Sequence, residues 1–354
     1  MLRGKIVLEE AYEEPSKVEA KRALLGVASC APDDVPRWAR QMSSIHGERL
    51  ELSKKHGIGY TILSVTGPGC QMIVDPVESA KEARRLNDHL YEQIKDSREY
   101  FGAFASLSMH DPVQAGEELR RCVRELGFHG ANFQHAGPDA YTWHFYDEPR
   151  YDAFWAVCCE LNVPIYIHPS LPAGYHDEAF EKMYGSRGGK YLVGPPFQFA
   201  TGASLHLLRI IVSGVFDRFP SLQIIVGHLG ERLPLDIWRV NHWIQDVMKA
   251  HAAKAGDTIC QQDDIRHYFK NNIYITTSGD FYTPALKYVV EEVGVERVLF
   301  SVDYPYETIE RGCGWFDGER REIERAIGTE GYVAVGKGNA RRLFGLGVYF
   351  ECDE

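Results

Sequence analysis

The chain has 354 residues, 44% of them hydrophobic and 25% charged, which supplies a large core and excludes a disordered or fibrous protein. Its formal net charge of -11 would repel nucleic acid and anionic membranes, so neither is expected as a partner. No run approaches the ~20 apolar residues of a membrane span, and no Pro/Gly/Ser-rich linker or low-complexity tract interrupts the chain, so residues 1–354 are expected to form one domain.

Short apolar runs alternate with helix-like stretches from end to end. The first, Lys5 to Leu8, runs into Glu9, and a long polar, helical region follows to about Lys55. Tyr60 to Val65 is the second run, closed by Thr66-Gly67-Pro68-Gly69. Ala83, Leu86, Leu90 and Ile94 then recur at helical spacing and predict an amphipathic crossover helix. Phe101 to Leu107 predicts a third strand, and Asp111-Pro112 an N-cap and first turn before the stripe Leu119, Cys122, Val123 and Leu126, which Gly127 can end. Gly130 to Phe133 is the fourth strand, Tyr151 to Leu161 a helix, and Pro164 to His168 the fifth strand. A helix over Leu205 to Phe216 leads to the sixth strand, Leu222 to Gly227, and Leu233 to Lys249 predicts a further helix. Ile273 to Thr277 is the seventh strand, Leu286 to Glu292 a helix and Arg297 to Ser301 the eighth strand, with helices over Arg321 to Ile327 and Asn339 to Leu343. Fully apolar strands alternating with helices imply a parallel sheet covered on both sides, and eight repeats favour closure into an α/β (β/α)8 barrel over an open sheet.

In such a barrel every strand ends at one mouth, which brings distant residues together. Glu9, His168, His228 and Asp303 each follow an apolar run, and carboxylates are seldom buried unless paired or coordinated. The four together point to a metal enzyme, although any one alone reads as a capping or structural residue. Glu231, three positions after His228, can orient that ring or simply begin a helix. Eight cysteines (Cys30, Cys70, Cys122, Cys158, Cys159, Cys260, Cys313 and Cys352) lie scattered without a C-x-x-C pair. Lys5 to Leu8 is too short for a signal-peptide core, so reduced thiols in a cytoplasmic protein are expected.

The segments Gly4 to Ala11, Lys55 to Tyr60, Gly102 to Ala105, Ile167-His168-Pro169, Gly194-Pro195-Pro196, Gly214 to Asp217, Gly227 to Glu231, Thr276 to Gly279 and Phe300 to Asp303, in this order, carry a family resemblance. The chain resembles the decarboxylase branch of the amidohydrolase superfamily, the group of the 2,3-dihydroxybenzoate and salicylate decarboxylases. The resemblance implies an amidohydrolase-type barrel with insertions, one divalent ion (magnesium, manganese or zinc) on Glu9, His168 and Asp303, and His228 with Glu231 as a catalytic pair beside it. It nominates Arg239 and Asn132 as substrate contacts, and implies a dimer or tetramer of identical chains. Hydrolytic relatives carry His-x-His where this chain has Glu9 and Ala11, which argues against a two-metal hydrolase. Ala23-Leu24-Leu25 stands where several relatives have aromatic residues near the substrate ring.

The activity so implied is reversible, non-oxidative removal of CO2 from an ortho-hydroxybenzoate. The cation would chelate the carboxylate and the adjacent phenolic oxygen, and the ring carbon would be protonated before CO2 leaves. The resemblance nominates Asp303 as the acid with His228 and Glu231 assisting; alternatively, Asp303 stays an ionised ligand and His228 delivers the proton. A single-metal hydrolase of a lactone, ester or amide on the same barrel is the competing expectation, and a noncatalytic barrel the third.

Overall fold

A computed structural model describes residues 4–19, 31–67, 69–134, 145–170, 182, 185 and 188–347. Ala23, Leu24, Leu25, Cys30 and Cys352 lie outside the described residues. All eight expected strands form: β1 (Lys5–Tyr12), β2 (Ile58–Val65), β3 (Phe101–Ala103), β4 (Ala131–Gln134), β5 (Ile165–His168), β6 (Ile224–Val226), β7 (Ile273–Thr276) and β8 (Val298–Leu299). They pair in parallel and in chain order, as β1-β2-β3 and as β4 through β8.

Two seams join these runs into a ring. At the first, Ala105 bridges to Ala131, with the Ala105 amide donating to the Gly130 carbonyl at 2.9 Å and the Asn132 amide to that of Ala105 at 3.1 Å. At the second, the Ser301 hydroxyl accepts from the amides of Leu8 and Glu9 at 3.0 and 2.9 Å, and the Ala11 amide donates to the Tyr304 carbonyl at 2.8 Å. One face of the strands fills the interior, where Ile6, Leu8, Ile62, Phe104, Tyr166 and Ile225 pack together. The other face carries Val7, Leu63, Ile165, Ile167 and Ile224 into the larger core beneath the helices. This two-period division of the strands is what a filled parallel barrel demands.

The helices form where caps and stripes direct them. Pro76–Ile94 begins on Asp75, whose carboxylate accepts from the Glu78 amide at 2.9 Å, and it buries Ala83, Leu86, Leu90 and Ile94 as the spacing predicts. Asp111 caps Pro112–Arg124 in the same way, accepting from Val113 and Gln114. Other boundaries differ from expectation. The helix expected from Leu205 starts earlier, spanning Gln198–Val212, and Gly214 at φ +72° turns the chain before the short Val215–Arg218 segment. The Leu233 to Lys249 stretch is helical over Leu233–Trp243, loosens into a π-turn at Ile244–Met248 and resumes at Lys249.

Candidate metal centre

Glu9, His168 and Asp303 converge at the C-terminal mouth of the ring, from the second half of β1, the last residue of β5 and the segment after β8, with one potential ligand atom from each lying within 4.8 Å of the others. His168 Nε2 stands 3.5 Å from Glu9 Oε1. The other ring nitrogen of His168, Nδ1, donates to the Pro169 carbonyl at 2.6 Å, which leaves Nε2 as a lone pair facing the carboxylates. Burial also holds the His168 imidazolium below its ordinary range, so the ring is available as a neutral ligand.

The Glu9 carboxylate is buried, and its two oxygens are treated differently. Oε2 accepts hydrogen bonds from the Tyr166 and Thr276 hydroxyls, the latter at 3.1 Å. Oε1 is buried without a hydrogen-bond partner among the described residues. An ionised oxygen stranded in this way is costly, and a cation is the group that would satisfy it. Burial favours the neutral acid here, but the charges of His228 and His168, with the hydrogen bond from Tyr166, outweigh it and keep Glu9 below the ordinary carboxylate range. Two carboxylates and one imidazole form a hard O/N donor set of the kind that suits magnesium, manganese or zinc. The residues therefore fit a single divalent cation.

Beside this set, His228 Nδ1 donates to Glu231 Oε1 at 2.7 Å, while its Nε2 faces Asp303 Oδ2 at 3.7 Å. Burial opposes a charge on His228, yet Glu231, Glu9 and Asp303 together raise it well above its ordinary value. For Asp303, burial first and the Glu9 charge also push the carboxyl up to about 7, against the pull of the facing His228. A divalent cation at the site would favour its ionised form.

The backbone that delivers His228 is unusual. His228, Leu229, Gly230, Glu231 and Arg232 all have positive φ, between 49° and 83°. The Gly230 amide donates to the Gly227 carbonyl at 2.8 Å, and this left-handed turn folds Glu231 back onto its own histidine. Gly227 precedes it for a steric reason: a Cβ there would lie 2.9 Å from Glu9 Oε2.

Asn132 joins the site. It lines a cavity with Ala11, Ser64, His168, Asp303 and Tyr306, and its Nδ2 donates to the Ser64 hydroxyl at 3.0 Å. Arg239 stands apart, exposed on Leu233–Trp243 and outside the linings of both this cavity and its neighbour. That neighbour, about 310 Å³, is bordered by His228, Glu231, Arg232, Asp280 and Tyr288. Sequence reasoning missed Tyr166 and Thr276. For Tyr166 a signal existed, because it lies two positions before His168 and so on the same face of β5.

The Amidohydrolase family model matches residues 18–346. The chain is 36% identical over 352 residues to gamma-resorcylate decarboxylase of Polaromonas sp. strain JS666, covering 98% of this chain and 99% of that protein. It superposes on 2,6-dihydroxybenzoate decarboxylase complexed with 2,6-dihydroxybenzoate with a TM-score of 0.84 at 36% identity, covering 97% of this chain and 100% of the other. It also superposes on a dihydroxybenzoic acid decarboxylase of Polaromonas sp. JS666, solved with manganese and the inhibitor 2-nitroresorcinol, with a TM-score of 0.84 at 35% identity and 97% of each chain covered.

Proposed function

The chain belongs to the amidohydrolase family, and from that premise we propose that it is a metal-dependent carboxy-lyase which removes CO2, reversibly and without an oxidant, from an ortho-hydroxybenzoate. The observation that carries this is the Glu9, His168 and Asp303 triangle with the hydrogen-bonded His228 and Glu231 pair against its Asp303 corner. The substrates in the relatives' names, gamma-resorcylate and 2,6-dihydroxybenzoate, have the matching chemistry.

A divalent cation held by Glu9, His168 and Asp303 would orient the acid through its carboxylate and neighbouring hydroxyl and offset negative charge on the ring oxygen. Loss of CO2 alone would leave a localised aryl anion, so the ring carbon takes a proton first. We assign that delivery to Asp303, which a bound cation would hold ionised at rest and which therefore takes the proton from charged His228 as it passes it to the ring carbon, with Glu231 keeping His228 charged. The new carbon–hydrogen bond forms, the bond to the carboxylate breaks, and its electron pair restores the aromatic ring as CO2 departs. Asn132 is assigned to the substrate's polar edge, since it lines the same cavity as His168 and Asp303. Arg239 would meet substrate only by a contact from outside that cavity.

We further assign the enzyme to the cytoplasm, where the described cysteines, all free, would remain reduced. None of its described helices is long and apolar enough to cross a membrane. A homodimer or homotetramer would cover Leu235, Trp238 and Trp243, which stand exposed on one helix.

The test is a panel of salicylate, 2,3- and 2,6-dihydroxybenzoate and 6-methylsalicylate, followed by CO2 and phenol release with metal content measured alongside. At least one acid should yield its phenol without oxygen or nicotinamide, and high bicarbonate should reverse the reaction. Hydrolysis of a lactone or ester, with no CO2 from any acid, would replace this function by hydrolysis.

A further inference from the structure

The way Glu9 is held inside the barrel goes beyond the ligand set itself. Tyr166, Thr276 and Ser278 are fully buried, and their hydroxyls form one connected group beneath the Glu9 carboxylate. Each hydroxyl has a single proton to give. Those of Tyr166 and Thr276 both go to Glu9 Oε2. The Thr276 proton being committed there, the 2.9 Å contact between Thr276 Oγ1 and Ser278 Oγ is made by the Ser278 proton. Tyr166 and Thr276 oxygens lie 3.1 Å apart as neighbours on the same acceptor. The count leaves no proton for Oε1, which is buried, unpartnered among the described residues, and turned toward His168 Nε2.

We infer that Tyr166 and Thr276 are positioning residues that fix Glu9 as a one-oxygen ligand, presenting Oε1 to the cation and withholding Oε2. This rests on the proposed metal site and deepens it. A carboxylate free to rotate can chelate through both oxygens. Pinned by two donors on Oε2, it occupies one position only. With one atom each from Glu9, His168 and Asp303, a six-coordinate cation keeps roughly three positions, two of them for the oxygens of a chelating hydroxy acid. The pinning groups come from β5 and β7, so strands that supply one ligand between them set the geometry of a ligand on β1.

The test compares wild type with Tyr166→Phe, Thr276→Val and the conservative Thr276→Ser, each stripped of metal and titrated with manganese while free Mn2+ is followed by electron paramagnetic resonance. The Phe and Val variants should bind manganese about 10- to 100-fold more weakly, as losses behind a ligand typically do, whereas Thr276→Ser, which keeps the donor, should stay within about threefold. At saturating manganese, KM should rise by a larger factor than kcat falls in the Phe and Val variants. Thermal midpoints of the metal-free proteins separate this from unfolding. Equal manganese affinity in wild type, Tyr166→Phe and Thr276→Val would overturn the inference alone. A folded wild type that binds no manganese would overturn the metal site and the inference with it.

Discussion

At the scale of single residues, the site divides into groups that hold charge and groups that move it. His228 lies between two carboxylates, Glu231 at 2.7 Å on Nδ1 and Asp303 at 3.7 Å on Nε2, and the proposed mechanism assigns it to the second class. His228→Gln should lower kcat by about 10²- to 10⁴-fold, the usual weight of a proton-transferring group. Manganese content should be retained, because the ring lies outside the ligand triangle. Glu231→Gln can still accept from Nδ1 but carries no charge, so the loss should be about 10- to 100-fold. Steady-state kinetics with metal analysis check both; a His228→Gln enzyme with wild-type kcat, or one that loses its metal, contradicts the assignment. Glu9, His168, His228 and Asp303 were legible because a polar residue just past an apolar run has no packing role there. Asn132, which lines the cavity, was nominated only through the family resemblance. Thr276 was not legible, since a threonine inside a strand is an ordinary core residue until its hydroxyl partner is known, and Tyr166 was signalled only by its place two positions before His168.

At the scale of elements, the left-handed turn from His228 to Arg232 sets the geometry of the proton pair. Four of its five residues are not glycine, and such conformations cost on the order of 1 kcal/mol or more each, held in place by the surrounding fold. Gly230, at φ +83°, is the position with no slack: an added Cβ would meet Ile275 Cδ1 and Pro234 Cδ, both at 2.9 Å. The Ile275 tip can move, but the proline ring is fixed in the next helix. Gly230→Ala should therefore cost about 2–4 kcal/mol in a urea titration, combining backbone strain with overpacking. It should also lower CO2 release by displacing His228. A urea midpoint equivalent to a change within ~0.5 kcal/mol would mean that the turn is not under this constraint. The sequence signalled Gly227 before this segment and Gly230 within it but not its handedness, which depends on tertiary contacts. The same limit explains the unexpected helix at Ile309–Gly318, whose glycines disfavour a helix locally. There Gly312 is needed for close packing, since a Cβ would touch Phe281 and Val302 at 3.0 Å.

At the scale of the whole molecule, catalysis at one end of the barrel is separated from a pH-sensitive contact at the other. His129 enters β4 at the N-terminal end, where Nε2 shares a 2.8 Å hydrogen bond with the Tyr60 hydroxyl and the ring packs on Phe344. Burial, with the nearby Arg98 charge, pushes its pKa down from 6.5 to about 4. Folding thus favours neutral His129. Below pH ~6.5 the unfolded chain takes up a proton that the folded chain refuses, so this contribution is complete above that pH and is lost progressively down to about pH 4. Because the ring is only half-buried, the loss is best taken as roughly 1–3 kcal/mol rather than the full shift. The mouth carries its own titrating groups, so the informative quantity is a difference. Urea titrations of wild type and His129→Gln at pH 7.5, 5.5 and 4.5 should differ in slope, the variant losing less stability toward acid whatever its stability at pH 7.5. Parallel decline of the two proteins would assign acid sensitivity to other groups and leave His129 a packing residue. A flatter decline in the variant would separate the acid stability of the scaffold from the pH dependence of CO2 release, which the groups at the mouth would then govern by themselves.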